Sequence, residues 1–312
     1  MLKQVLEVID LIDRGTIDGK QVIDLFKDFP LVTAITETVQ GDEGTTDFVK
    51  IIIQGKNGKL SKGDAPTLGV IGRLGGIGAR PSNIGMVSDA DGAVAAIAVA
   101  LKLSLMSIYD DRLEGDVIVT THICPDAPSQ PHEPVDFMGS PVDMDQMNEY
   151  EVVKEADAIL SIDTTKGNNI INHRGYAISP TVKEGYILRV SQDLLNCMEV
   201  SSGTHAKTFP ISQQDITPYS NDLFHINSIL QPATATNAPV VGVAITTETA
   251  VPGCGTGASH EIDITEASRF VIEVAKGYTS NKMSFYDEKE FEQIISLYGK
   301  MNHFQYDPNL NK

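Results

Sequence analysis

Histidines and acidic residues recur at points where apolar, strand-like runs end. Asp163 and His122 each follow such a run, and His260 lies beside Glu261 after a Gly-rich segment. Carboxylates and imidazoles bind divalent cations, and an imidazole can also move a proton near neutral pH. These residue types at strand ends therefore indicate metal-dependent hydrolysis as the chemistry to test.

Two aspartates, Asp89 and Asp91, precede a long apolar helix that the sequence predicts over residues 93–106. A carboxylate at this position favours the helix dipole and can cap the first turn, which accounts for one of the pair. The other is free to face a cation, so both are candidate metal ligands. Asp163 has a comparable alternative role, because an aspartate at a strand end often closes a turn.

The segment 122–126 offers three ligand-capable side chains in alternation. In an extended chain His122, Cys124 and Asp126 would share one face, and the proline between the last two favours that conformation. A histidine and a cysteine together suit zinc. The alternative is a histidine at the edge of the core beside a buried cysteine.

A hydrolase also needs a proton acceptor and a group that holds its substrate. Three acidic residues are candidates for the general base: Asp126, Glu133 and Glu261. His260 is a candidate metal ligand, and capping of the next helix is the alternative role for its segment. Arg73 and Arg80, in the Gly-rich segment 72–85, are candidates for binding a substrate carboxylate. That segment lacks the glycine spacing of a nucleotide-binding loop.

Composition excludes several classes of function. The chain has 312 residues and a net charge of -18, and such acidity disfavours nucleic acid and anionic membranes as partners. Three scattered cysteines argue against a disulfide framework and fit a reducing cytoplasm. We expect no run to be apolar and long enough to span a bilayer. A metal-free enzyme that uses Cys124 or Cys254 is a third, weaker hypothesis.

The predicted elements alternate between strands and helices, which indicates an α/β fold. We expect a three-layer sandwich, with a central, mostly parallel mixed sheet covered by helices, in a single domain over residues 1–300 and a polar tail over 301–312. The apolar runs predict strands over 31–39, 48–54, 67–72, 117–121, 158–162 and 240–245, and helices over 264–276 and 288–298. Ligands of such sheets bind at the carboxyl ends of the strands.

Three sequence blocks resemble a bacterial family catalogued as a domain of unknown function. They are Thr-His-Ile-Cys-Pro-Asp-Ala-Pro at 121–128, Phe-Met-Gly-Ser-Pro-Val at 137–142, and Val-Pro-Gly-Cys-Gly-Thr-Gly-Ala-Ser-His-Glu-Ile-Asp at 251–263. This resemblance covers almost the whole chain and implies no assigned activity.

A more distant resemblance is to the co-catalytic zinc aminopeptidases of the glutamyl-aminopeptidase and cellulase-M-like group and to related deacylases. It is carried by Asp-Ala-Asp-Gly-Ala-Val-Ala-Ala at 89–96, by the strand 157–165, and by the last strand with Ser-His-Glu at 259–261. The resemblance implies that Asp89, Asp163 and His260 are metal ligands. Two motifs depart from it: Gly-Arg-Leu at 72–74 stands where that group has His-x-Asp, and segment 122–126 stands where it has Glu-Glu.

Together these observations predict a hydrolase that cleaves an amide bond in a small peptide or an acyl-amino acid. Its cofactor would be a divalent metal, with zinc expected, held by some of Asp89, Asp91, His122, Asp163 and His260. The alternative, motivated by the two missing motifs, is a catalytically inactive peptidase-like protein that binds a small anionic ligand or a partner. A homo-oligomer is left open.

Overall fold

The computed structural model describes residues 1–73, 85–125, 127, 129–131, 137–165, 167–211, 228–249 and 259–305. The α-helices are α1 (Leu2–Ile12), α2 (Gly19–Ile23), α3 (Asp91–Ile108), α4 (Met144–Glu151), α5 (Gln192–Ser202), α6 (Glu261–Thr279) and α7 (Glu288–Tyr298). The first four strands are β1 (Val32–Gly41), β2 (Gly44–Ile53), β3 (Leu68–Gly72) and β4 (Val117–Ile123). The remaining strands are β5 (Ser129–Gln130), β6 (Phe137–Met138), β7 (Ala158–Thr165), β8 (Gly175–Ile178), β9 (Val182–Lys183), β10 (Tyr186–Ile187) and β11 (Val240–Thr246).

Nine of the strands in the described residues form one mixed sheet. Its order is β1-β2-β4-β3-β7-β11-β9-β10, and β8 also pairs with β11. The four central strands β4, β3, β7 and β11 are parallel, whereas the outer strands on both sides are antiparallel. The central strands are buried along their length, as parallel strands covered on both faces must be.

Helices cover both faces of this sheet, which confirms the predicted three-layer α/β fold. On one face α3 and α6 pack against the central strands, α1 packs on α3 and α6, and α5 packs on α6, around a large apolar core. On the other face lie α4 and the 3-10 helix Ser228–Thr234, over a smaller core that includes Val152, Phe209 and Ile229. The division into one domain and a tail stays a prediction, and residues 306–312 of that tail lie outside the described residues.

Helix α3 is the central helix of the larger layer. By length and composition alone, Ser88–Ile108 would suffice to cross a membrane, contrary to the sequence-based expectation, but most of it is buried inside the protein. Its Ala-rich surface contacts β3, β4, β7, α1 and α6. The apolar character of this helix is thus explained by the core that it fills.

The start of α3 touches the ends of two central strands. A Cβ atom on Gly92 would lie 2.6 Å from two backbone carbonyl oxygens. One belongs to Arg73, directly after β3, and the other belongs to Ile162 in β7. Only a glycine allows this close approach of backbone to backbone. The chain continues from β3 to β4 on one side of the sheet and from β7 to β11 on the other side. The boundary between β3 and β7 is therefore the switch point of the parallel strands.

Candidate functional site

Three buried aspartates lie at the carboxyl ends of the central strands, and we call them the aspartate edge: Asp89, Asp91 and Asp163. Asp89 lies in the 3-10 turn that precedes α3, Asp91 is the first residue of α3, and Asp163 lies near the end of β7. The Thr164 hydroxyl donates a 2.8 Å hydrogen bond to the Ser88 carbonyl and so ties the two segments together. Each of the three aspartates takes part in further interactions.

Neither Asp89 nor Asp91 caps a helix through its side chain. The N-caps are Val87 for the 3-10 turn Ser88–Ala90 and Ala90 for α3, and both lack a side-chain capping bond. Asp91 instead accepts a 2.6 Å hydrogen bond from the hydroxyl of Ser259, which lies just before α6. The capping role proposed from the sequence is therefore wrong for this pair.

Asp163 lies within β7 rather than after it, since the strand continues to Thr165. Its carboxylate accepts a 2.7 Å hydrogen bond from the Thr164 backbone N–H. Farther along, the Gly167 N–H donates to the Thr247 hydroxyl at 3.0 Å and joins the segments that follow β7 and β11. The ends of these two neighbouring strands are thus held together by polar contacts.

His260 and Glu261 begin α6 beside Ser259. His260 is the N-cap residue, without a side-chain capping bond, and both side chains are exposed. The Ser259 hydroxyl bonds to Asp91, so this contact brings the His260 segment to the aspartate edge while the imidazole faces solvent. The capping alternative for this segment is not what the structure shows.

Arg73 and His122 belong to a second group, the Glu151 cluster, which also contains Asn148 and Glu151. Glu151 lies at the end of α4 and is fully buried. One carboxylate oxygen is 2.6 Å from His122 Nδ1, and the other is 3.1 Å from Arg73 Nε, an ion pair that is not aligned as a hydrogen bond. Arg73 also donates to the Asn148 side-chain oxygen.

Aromatic and sulfur-containing side chains enclose the Glu151 cluster. The ring of Phe48 packs edge-on against His122 and stacks on Tyr150 at 4.7 Å. Burial, followed by the nearby Glu37 and Glu149 carboxylates, raises the pKa of Tyr150. The Arg73 guanidinium further contacts the sulfur atoms of two methionines of α4, Met144 and Met147.

The cluster gives Arg73 a carboxylate partner inside the protein. Arg73 is 2% exposed, so it lies within the core rather than in an open cleft. His122 is part of β4, which extends two residues beyond the predicted strand end, and its imidazole contacts Glu151. Sequence reasoning missed Glu151. The signal that could have identified Glu151 is its helical spacing from Met144, Met147 and Asn148, because this spacing places the four side chains on one face of α4.

Several predicted site residues lie outside the described residues: Arg80, Asp126, Glu133 and Cys254. Cys124 is described and buried, and its sulfur is 3.9 Å from the Thr45 carbonyl oxygen. Within the described ranges, no three His, Cys, Asp or Glu side chains are grouped so that they could hold a metal ion. The donor types therefore suit a divalent cation, whereas a complete ligand set is not seen in that part of the chain.

Three surface grooves of about 480–550 Å³ lie away from this edge. Their lining includes residues of the segment 281–290. It also includes Pro66, Asp157 and Pro239, which lie near the amino ends of the central strands. Asp157 in this region is paired with Lys59 at 2.7 Å. Within the described residues, Asp89, Asp91 and Asp163 are buried carboxylates at the opposite, carboxyl edge.

Comparison with known proteins identifies a family without assigning an activity. Residues 37–307 match the family described as "Protein of unknown function (DUF1177)". No curated protein matches the chain significantly. The match runs from the second half of β1 to beyond the end of α7, and so includes both the aspartate edge and the Glu151 cluster. Since it spans well over half of the sequence, this chain belongs to the DUF1177 family.

Proposed function

We propose that the protein hydrolyses an amide bond in a small peptide or an acyl-amino acid, with its reaction centre at the aspartate edge and with a divalent metal as cofactor. The observation that supports this most is the convergence of Asp89, Asp91 and Asp163 at the switch point of the parallel strands. This is where ligands of open α/β sheets bind.

The aspartate edge concentrates acidic side chains at the edge of the sheet where a ligand would bind. A buried carboxylate costs free energy unless hydrogen bonds and opposite charge compensate for it. The contacts of Asp91 and Asp163 described above come from a hydroxyl and a backbone N–H. Buried carboxylates on the segments that meet at this junction would attract a bound cation or a cationic substrate group.

The aminopeptidase resemblance implies Asp89, Asp163 and His260 as ligands of a metal at this edge, with zinc as the expected ion, and in the described residues these three side chains do not by themselves form a metal-holding group. Such a metal supplies a water of lowered pKa and polarises the scissile carbonyl. Because the described residues do not contain a full ligand set, we assign no individual catalytic step to it. Among the candidate bases, Glu261 is exposed at the first turn of α6 and accessible to a substrate.

Elemental analysis by plasma mass spectrometry tests the metal. Wild type should contain near-stoichiometric zinc, manganese or nickel, and Asp163→Ala and His260→Ala should each lose it. Asp28→Ala and His205→Ala are matched controls, since both residues are exposed, and they should retain the metal. Absence of metal in wild type, even after incubation with zinc, would refute the metal-dependent proposal.

Activity is tested separately with aminoacyl anilides and N-acyl amino acids. Turnover that a chelator abolishes and added metal restores would support the proposal. Asp163→Asn should lower the rate by about 10²-fold or more, because it alters a group proposed to lie at the reacting centre. Asp28→Asn should leave the rate unchanged.

One observation favours a second candidate, a peptidase-like protein that binds ligands without turnover. Arg73 and His122 occupy the places of two motifs of the resembling peptidases, and both are engaged with Glu151. A thermal-shift screen distinguishes the candidates. Stabilisation by amino acids or short peptides, but not by metals, would support the binding protein, whereas turnover of any amide would rule it out.

A further inference from the structure

Strand β1 is the outermost strand on one side of the sheet, and it is unusually long and regular for an edge. It has ten residues and pairs with β2 one to one from Val32–Ile53 to Gly41–Gly44, without a bulge. The opposite edge strand, β10, has only two residues. The two edges of the sheet therefore differ in their capacity to pair with another strand.

The hydrogen-bond pattern shows which groups of β1 face outward. The Gln54 N–H donates to the Leu31 carbonyl, so residues 31, 33, 35, 37 and 39 direct their backbone groups towards β2. Ala34, Thr36 and Thr38 therefore direct their N–H and C=O groups away from the sheet. Within the described ranges, these outward groups have no backbone partner.

Proteins usually protect such an edge with prolines, lysines, bulges or short strands. The sequence of β1, Val-Thr-Ala-Ile-Thr-Glu-Thr-Val-Gln-Gly, has no proline and no basic residue, and Glu37 is its single charge. Ile35 in its centre is 52% exposed. An unprotected ten-residue edge with an exposed central isoleucine is suited to pairing with another strand.

We propose that β1 pairs antiparallel with β1 of a second copy of this chain, so that the two sheets continue across a two-fold axis at Ile35. A two-fold axis makes the same edge complementary to itself. With the axis at Ile35, residues 32–38 of the two copies face each other, Ile35 lies opposite Ile35, and Thr33 lies opposite Glu37. This inference is independent of the proposed function.

Charge selects this register over its neighbours. An axis at Glu37 would place two like carboxylates directly opposite each other, which destabilises a strand pair. An axis at Thr36 would place Ile35 opposite Glu37 and leave it without an apolar partner. Of these three axes, only the one at Ile35 places the isoleucine opposite an apolar partner and separates the two glutamates.

Sedimentation equilibrium tests the assembly with a matched pair of variants. Wild type should have twice the monomer mass, and Ile35→Lys should halve the mass because it places two ammonium groups on the axis. Ile187→Lys is the control, since Ile187 is 57% exposed on the opposite edge strand, and its mass should equal that of wild type. Monomeric wild type, or an Ile35→Lys variant with unchanged mass, would overturn the proposal.

Disulfide cross-linking tests the register without destabilising the fold. Ile35 and its mate form a pair without mutual backbone hydrogen bonds, with Cα atoms about 4.5 Å apart, which is within reach of a disulfide. Mild oxidation of Ile35→Cys should give a covalent dimer, whereas Glu37→Cys and Ile187→Cys should yield no more than wild type does. Stronger cross-linking of Glu37→Cys than of Ile35→Cys would contradict the register.

Discussion

The carboxyl edge of the sheet contains two groups of buried charge that are built in opposite ways. In the Glu151 cluster one carboxylate lies between a guanidinium and an imidazole, so unlike charges compensate within the protein. The aspartate edge places three carboxylates around the start of α3 and the end of β7, and each of them has further interactions. Both groups are equally buried, so burial alone does not distinguish structural from functional charge.

We infer that the two groups at this edge have different roles, one structural and one in ligand binding. The Glu151 cluster connects β3, β4 and α4, and through Asn148 it reaches Thr234 of the 3-10 helix on the same face. It therefore fixes the strands that carry the site. The aspartate edge is placed by backbone contacts of α3 and presents charge that a ligand can use. The following experiments separate these two roles.

The largest effect is expected for Glu151→Gln. It leaves the Arg73 guanidinium buried without its counter-ion, and breaking a buried pair in this way costs about 3–5 kcal/mol. The free energy of unfolding from denaturant titration should fall by that amount. Glu155→Gln is the control, because Glu155 is exposed four residues farther along, and its effect should stay within about 0.5 kcal/mol.

A double-mutant cycle shows whether the loss comes from the pair itself. Replacing both members, as Arg73→Met with Glu151→Leu, should cost less than the sum of the single changes, since no buried charge is left unpaired. Additive losses would mean that the two side chains contribute independently and that the cluster is not an ionic unit.

The second prediction concerns how the aspartate edge is held in place. Gly92→Ala places a methyl group against two backbone carbonyls, so α3 must move away from β3 and β7. We expect a loss of about 1–3 kcal/mol in stability, typical of overpacking, together with loss of any metal or ligand bound at the edge. Gly277→Ala in α6 is the control, because its methyl group meets the flexible Met283 side chain. Equal losses in both variants would contradict the special role of the α3 junction.

The sequence predicted the frame of the site because that frame follows from local patterns. Buried parallel strands produce apolar runs, and β3, β7 and β11 were each located to within three residues at either end. Strand ends gather at one edge of a parallel sheet, so the convergence of residues from β7 and the start of α3 also follows. The three-layer fold rests on the same alternation of elements.

The partners across the fold could not be predicted in this way. Ser259 and Asp91 are 168 residues apart, and nothing local in either segment indicates the other. Glu151 follows Glu149 in a polar segment of α4, and only the helical spacing shows which glutamate is buried. The sequence favours a substrate-binding role for Arg73, because its ion pair with Glu151 depends on tertiary structure that local patterns do not show.

A smaller effect is expected for Ser259→Ala. The variant loses one hydrogen bond to the Asp91 carboxylate, worth about 1 kcal/mol, while Asp91 keeps its further interactions. Because this bond fixes the segment with His260, the affinity for a bound metal should fall more than the stability does. Ser280→Ala, at the other end of α6, is the control and should leave metal affinity unchanged. Equal metal affinities of the two variants would place His260 outside the site.

The smallest change in stability is expected for Asp163→Asn, which makes the same carboxylate-to-amide exchange as Glu151→Gln at an equally buried position. The amide oxygen can still accept the Thr164 N–H, and one of three like charges disappears. The free energy of unfolding should therefore stay the same or rise by up to about 1 kcal/mol, as is common when a functional charge is removed. A loss near that of Glu151→Gln would show that Asp163 compensates a buried cation, and the two groups would then share one structural role. If the stability is unchanged and metal binding or activity is lost, the Glu151 cluster stabilises the fold and the aspartate edge acts in binding or catalysis.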